Sequence, residues 1–380
     1  MGFLDNAGLQ GMASSSQPVR FLLGLAVCLG FSWGAMRWLA PRGWIDLPSG
    51  RHQHARPTPR TGGMALLASL GLGHVLGALN LPLSRGEWVM VYGMGVVGAL
   101  DDRLNLRARW KALLALGSAA VLAWLTWDVL RQAGSSLPLF NSHLATQTSL
   151  ALLLLWAWYW AIPQSCNLID GMNGLALGFF LLLALFMGLP MGLSGEGAYF
   201  LGTLVALAVL NWPFGKQFLG DSGSLTLGTV FALLGVHLLA IESPNRLLWT
   251  FAYPIVDVLM VMAIRLSNGR PLGEGDRNHF HHHWQRALGN QSSAALAMTL
   301  LPAFACMQVL QDYPGHRFAA WAGLVWLGAS AFWFYFRSVR HHHPSELPSR
   351  QMLKARPLEE GLAGATPSGG TLAWFRQDQD

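Results

Sequence analysis

Long apolar stretches recur along the chain, separated by polar or Gly- and Pro-containing connections. A helix rises about 1.5 Å per residue, so about 20 apolar residues cross a bilayer core of about 30 Å. Eleven stretches predict membrane-spanning helices. They lie near Val19–Ala40, Gly63–Leu83, Glu87–Leu100, Ala112–Leu130, Ser149–Pro163, Leu175–Leu193, Ala198–Trp212, Ser224–Ile241, Leu247–Leu266, Ala294–Leu310 and Phe318–Phe336. The third is short for a full crossing and ends on Asp101-Asp102, so either the bilayer thins there or the acidic pair sits below the interface. The expected fold is all-α and polytopic. A segment over 1–18 precedes a transmembrane domain over 19–337, and a polar tail over 338–380 is expected to be disordered.

The connections divide into two kinds. Those after the first, third, fifth, seventh and ninth stretches are rich in Asp, Asn, His and Arg; the others are short or bland. With alternating crossings, all five rich connections fall on one face. The basic residues identify it: Arg37 to Arg60, Arg103 to Lys111, Lys216, Arg265 to Arg286 and those of the tail lie there. Only Arg20, Arg85, Arg131, Arg246 and Arg317 lie opposite. Positive charge marks the cytoplasm. The rich connections and the C-terminus are therefore expected inside, and the N-terminus outside.

Composition agrees. Of 380 residues, 52% are hydrophobic and 12% charged, about half the charged share of a soluble domain, roughly 25%. The net charge of +6 follows the topology, and no nucleic-acid partner is expected. Cys28, Cys166 and Cys306 have neither metal nor disulfide spacing. Residues before Pro18 lack a basic front, so no cleavable signal peptide is expected.

Each rich connection carries candidate chemistry. The first holds Arg51, His54 and Pro57-Thr58-Pro59-Arg60-Thr61-Gly62-Gly63, where glycine amides at a helix start beside arginines suit phosphate; the alternative is an ordinary cytoplasmic loop. Asp101 and Asp102 open the second, and carboxylates at a membrane boundary are expensive unless used. They offer hard oxygen ligands for Mg²⁺, or else form a solvated cap. In the third, Asn167, Asp170 and Asn173 would share one face of a helical turn and could read a nucleotide or sugar, or end a helix in an Asx turn. In the fourth, Asp221 within Phe218-Leu219-Gly220-Asp221-Ser222-Gly223-Ser224 reads as an anion or metal site at a helix start, or as a simple cap. The fifth holds Asp276, His279, His281, His282 and His283. It lacks a zinc pattern, which leaves imidazole contacts to phosphate oxygens. Asp257, in the preceding stretch, is either an interhelical hydrogen-bonding group or part of the site.

In this order the five motifs resemble the polyprenyl-phosphate N-acetylhexosamine-1-phosphate transferase family, over roughly 46–288. The acidic pair matches Asp101 and Asp102. Asn-x-x-Asp-Gly matches Asn167, Asp170 and Gly171. Phe-x-Gly-Asp-x-Gly-Ser matches Phe218 to Ser224, and Asp-x-x-His-x-His-His matches Asp276, His279, His281 and His282. The run Arg51 to Gly63 looks like the N-acetylhexosamine branch, not the muramoyl-pentapeptide branch. The family often has Asp where Asn173 stands and Asn where Gln164 stands, which leaves the donor sugar open among N-acetylglucosamine and fucosamine- or quinovosamine-type sugars.

The resemblance implies a multi-pass enzyme of the bacterial cytoplasmic (inner) membrane. It implies transfer of N-acetylhexosamine-1-phosphate from a UDP-sugar to undecaprenyl phosphate with release of UMP, the initiating step of a cell-envelope polysaccharide such as O-antigen. It implies Mg²⁺, with Mn²⁺ as the alternative metal, held by Asp221 with Asp102, and Asp101 orienting or deprotonating the lipid phosphate. His279, His281 and His282 with Arg60 would stabilise phosphate charge. Asn167, Asp170, Asn173 and Phe218 would bind the nucleotide-sugar, alongside His54, Arg270 and Asp276. A homodimer is compatible. The competing expectations are a muramoyl-pentapeptide phosphotransferase and a non-enzymatic transporter or scaffold. A transporter would gather polar groups near the midplane in repeated halves, and no repeat is visible.

Overall fold

The computed structural model describes residues 17–47, 57–133, 144–188, 197–239, 244–271, 277–289, 291–311 and 313–340. Helix follows helix: α1 Gln17–Trp38, α2 Gly62–Val75, α3 Arg85–Leu104, α4 Ala108–Leu125, α5 Trp127–Ala133, α6 Leu144–Leu168 and α7 Leu175–Gly188. Then come α8 Ala198–Asn211, α9 Gly220–Leu238, α10 Pro244–Thr250, α11 Ala252–Ser267, α12 Phe280–Ala287, α13 Ser292–Met307 and α14 Pro314–Arg340. The sheet among the described residues is one two-residue antiparallel pair, Ile45 opposite Pro59 and Asp46 opposite Thr58.

Each of the eleven apolar stretches contains helix, but several bounds differ from hydropathy. The third is the main correction. α3 runs from Arg85 to Leu104 and ends at Asn105 in the left-handed region, φ 49°. Asp101 and Asp102 therefore ride on its last turn, because backbone hydrogen bonding continues where apolar character stops. At its start a capping box closes Ser84 against Glu87, which satisfies amides that otherwise lack partners. The fourth stretch breaks at Thr126 into α4 and α5, and the ninth at Phe251 into α10 and α11. α14 continues to Arg340, past the expected tail boundary at 338. The tail beyond it, residues 1–16, and Arg51, His54 and Asp276 lie outside the described residues.

By length and apolar content, three helices among the described residues could each cross a membrane: Gln17–Trp38, Ser292–Leu310 and Pro314–Val339. Gly62–Val75, Leu175–Gly188 and Ala198–Asn211 are shorter apolar helices. Trp33, Trp124, Phe318, Trp321, Val325, Phe332 and Trp333 stand exposed on helix exteriors. Large apolar side chains exposed along these helices suit contact with lipid, and these helices form a membrane protein.

The core is organised around α9. Nearly every α9 residue is buried, as expected of a helix that is apolar on all sides. It packs against α3, α6, α2 and α7, while α1 lies along α8, and α13 along α14. The N-terminus of α9 meets the C-terminus of α3, and the candidate site forms at that junction.

Candidate functional site

Glycines let the backbones close at this junction. A Cβ on Gly63 would overlap Ser222 Oγ and the Gly223 amide, and one on Gly98 would overlap the Asp221 carbonyl. Phe218 N–H donates to the Pro59 carbonyl at 2.8 Å, and Gly62 and Gly63 N–H donate to the Phe218 and Leu219 carbonyls at 3.0 and 2.8 Å. The first and fourth motifs are thus one hydrogen-bonded unit, although more than 150 residues separate them.

The three carboxylates divide their work. Asp102 Oδ1 accepts the Asp221 N–H at 2.9 Å. Its Oδ2 accepts the Ser222 N–H at 2.9 Å and the Ser222 hydroxyl at 2.7 Å. It therefore caps α9 from a different helix, and its nearest cation is Arg60, at 3.9 Å. Asp101 Oδ1 accepts the Leu106 N–H at 2.8 Å. Its Oδ2 pairs with Lys111, which also reaches Asp221 Oδ2 at 3.1 Å. Asp101 and Asp221, not Asp102, are thus the carboxylates that converge on one cationic group. Burial and the Asp221 charge push Asp101 and Asp102 each up to about 6. Burial works against the charged form of Asp221, but hydrogen bonds from Asp101 and Lys111 hold it below the usual carboxylate value. Burial and the same carboxylates drive Asp170 far up. The centre holds more negative charge than its lysine and arginine offset.

A cavity of about 440 Å³ opens beside these groups, lined by Asp46, Arg60, Asp170, Gly171, Met172, Asn173, Asn211, Trp212, Pro213, Phe218, Gly220, Asp221, His282, Ser292 and Ser293. Arg60 is held at its wall by Asp46 at 2.8 Å. Asn211 ties two motifs together: its Oδ1 accepts the Gly174 N–H at 2.6 Å and its Nδ2 donates to the Gln217 carbonyl at 3.1 Å. Asn167 donates to Ser224 Oγ at 2.8 Å, anchoring the end of α6 to α9. A second cavity, of about 410 Å³, is lined mainly by apolar side chains such as Phe21, Leu185, Leu201 and Phe231 and offers no group for chemistry.

The histidines take three different positions. His282 lines the cavity. His281 is fully buried, neither ring nitrogen has a partner among the described residues, and Gly171 leaves room for its Nε2. His279 is held by Asp257 at 2.7 Å. Burial, then the neighbouring histidines, lower His281 well below the usual imidazole value; burial and His279 bring His282 down to about 4. Both rings are therefore neutral near pH 7.

Of the anticipated residues, Asp101, Asp102, Asp221, Arg60, Asn167, Asp170, Asn173, Phe218 and His282 gather at this centre. Arg270, just beyond α11, does not line the cavity. Lys111, Asn211 and Trp212 were not anticipated. Lys111 counted only as one more cytoplasmic charge, and its place ten residues after Asp101 was its sole signal. Among the described residues no three His, Cys, Asp or Glu side chains form a ready metal cage. Two convergent carboxylates fit instead a hard cation that binds through one or two carboxylates plus substrate phosphates, as Mg²⁺ does.

Comparison with known proteins bears on this geometry. Residues 85–239 match glycosyl transferase family 4. A probable undecaprenyl-phosphate N-acetylglucosaminyl 1-phosphate transferase of Bacillus subtilis is 29% identical over 287 residues, 70% of this chain and 76% of that protein. A decaprenyl-phosphate N-acetylglucosaminephosphotransferase of Mycobacterium tuberculosis is 29% identical over 308 residues, 69% and 74% of the two chains. An undecaprenyl-phosphate alpha-N-acetylglucosaminyl 1-phosphate transferase of Escherichia coli is 26% identical over 313 residues, 77% and 83%.

Proposed function

We propose that this chain, whose residues 85–239 match glycosyl transferase family 4, transfers N-acetylglucosamine-1-phosphate to a polyprenyl phosphate in the membrane. The observation that carries the reading is the convergence of residues from four separate connections on one cavity beside Asp221. The names of relatives that cover about three quarters of their own length support the acceptor and the transferred group. UDP-N-acetylglucosamine is the proposed donor and undecaprenyl phosphate the acceptor. The eleven stretches cross the bacterial cytoplasmic membrane, with the site at the cytoplasmic face and the N-terminus outside. Positive charge on the side of the rich connections supports that orientation.

In the reaction a lipid phosphate oxygen bonds to the β-phosphorus of the donor. The bond from that phosphorus to the bridging oxygen breaks, and UMP leaves with that oxygen. Phosphoryl transfer asks the protein mainly for positioning and charge neutralisation. Asp221 and Asp101 are the residues that would hold Mg²⁺, which when bound supplies positive charge to the pyrophosphate. Asp102, the second metal contact that the resemblance implies, accepts three hydrogen bonds from the start of α9, and this supports Asp101 as the proposed partner of Asp221. Lys111 and Arg60 offer further positive charge to phosphate oxygens. Phe218 and Trp212 flank the cavity as surfaces for uracil, and Asp170 and Asn173 offer hydrogen bonds to the nucleotide-sugar. His282 offers a neutral imidazole to the transferred phosphate.

The test is UMP release by purified protein given undecaprenyl phosphate, Mg²⁺ and a panel of UDP-sugars. Release with UDP-N-acetylglucosamine, stopped by EDTA and restored by Mg²⁺, is the expected result. Folded protein that releases no UMP from any donor overturns the reading. Neither the muramoyl-pentapeptide alternative nor the transporter alternative has an observation in its favour.

A further inference from the structure

We infer that Asp257, buried inside α11, is a positioning residue for the histidine helix: it sets which ring nitrogen of His279 carries the proton and where α12 begins. The inference rests on the transferase reading above and adds a residue outside the five motifs.

Asp257 is fully buried. A carboxylate in such surroundings is costly unless its charge is paired and its oxygens are hydrogen-bonded. Among the described residues each oxygen has one donor: Oδ1 accepts the Phe280 N–H at 2.7 Å, and Oδ2 accepts from His279 Nδ1 at 2.7 Å. Among the described residues His279 is its ion-pair partner. Phe280 opens α12, and His279 is the residue before it, with extended backbone and no side-chain cap of its own. Asp257 therefore supplies, from another helix, the capping acceptor that α12 lacks locally.

The second contact has a chemical consequence. A carboxylate only accepts, so the Nδ1 of His279 must carry a proton. Nε2 is then the nitrogen whose protonation stays variable, an acceptor in the neutral ring and a donor in the cation. The geometry passes onward through the rings. His279 lies near-parallel to His281, with centroids 5.9 Å apart, and His281 lies 4.1 Å from His282, which lines the cavity. A shift at the start of α12 is thus felt at the cavity wall.

Asp257→Asn separates positioning from simple support. The amide oxygen still accepts the Phe280 N–H, but its NH₂ donates to Nδ1 and drives the ring proton to Nε2. In the full-length protein in detergent, kcat for UMP release is expected to fall about 100-fold with KM for UDP-N-acetylglucosamine within about threefold. In a His279→Gln background the same change should cost less than about threefold, because residues acting as one unit are not additive. In ¹⁵N-histidine NMR spectra without substrate, the resonance lost in His279→Gln should carry its proton on Nδ1 in the wild type and on Nε2 in Asp257→Asn. Wild-type-like turnover in Asp257→Asn, or an equal loss in both backgrounds, would overturn the inference. So would a wild-type His279 protonated only on Nε2, a readout that stands even if Asp257→Asn fails to fold. Because the NMR measurement needs no substrate, a wild type that releases no UMP counts against the proposed function, not against the placement of the proton.

Discussion

The two ends of the α3–α9 pair make an instructive contrast. Both ends bury carboxylates between the same two helices. At the end away from the cavity, Glu87 is 2% exposed; its Oε1 meets His237 Nε2 at 2.9 Å and its Oε2 accepts the Ser84 N–H at 2.6 Å. One carboxylate meets one imidazole and one amide, and nothing is left over. At the other end, Asp101 and Asp221 share Lys111, Asp102 has Arg60 as its nearest cation and Arg60 is also drawn to Asp46, while Asp170 lies buried near Asp102 and Asp221. A carboxylate that only holds helices together is matched locally. Around Asp221, burial and crowding instead raise the proton affinity of Asp101, Asp102 and Asp170, as like charges sharing one site do, and such perturbation clusters at functional sites.

Substitutions can sharpen or break this contrast. The largest effect is expected for Asp221→Asn, which should lower UMP release about 1000-fold in protein that still folds in detergent. Near-normal turnover would remove Asp221 from the chemistry. Lys111→Met should cost about 100-fold in turnover and lower the thermal midpoint in detergent, because Asp101 and Asp221 lose the cation they share. If instead it is silent in both assays, the excess of negative charge has no functional meaning. Asp102→Asn should cost about 30-fold in activity together with about 1–3 kcal/mol of stability, because an amide cannot accept hydrogen bonds through both of its terminal atoms. An Asp102→Asn protein as stable as wild type would argue that α9 needs no clamp. The smallest catalytic effect belongs to Glu87→Gln: turnover within about threefold, but stability lower by about 1–3 kcal/mol, read as a lower midpoint. Inactivation as deep as that of Asp221→Asn would erase the distinction between the ends.

Much of the architecture was legible in local pattern. Apolar runs located helix in all eleven stretches, because burial in lipid or in a bundle demands the same composition at any position. The clustering of Asp, Asn and His in alternate connections already put the chemistry at one end of the bundle. Helix bounds were less legible. Hydropathy stopped α3 at Leu100, whereas its backbone continues to Leu104, since a carboxylate with partners can finish a helix that apolar residues began. The division of labour between Asp101 and Asp102 was also hidden. Adjacent residues on a helix point about 100° apart, and which of them faces α9 depends on how the two helices cross.

Chain order and hydrophobic spacing by themselves determined that this is a helical membrane protein, and which five segments its polar motifs occupy. They determined this because apolar run length and motif spacing are local properties. Only the tertiary structure decided that Asp102 grips the start of α9, that Lys111 stands between Asp101 and Asp221, that Asn211 joins two loops, and that Asp257 holds His279. The contacts of Asp102 and of Lys111 with Asp221 join residues more than 100 positions apart. They exist because glycines at 63 and 98 let three backbones approach within reach of short side chains, and no local pattern records which helix a glycine will be pressed against.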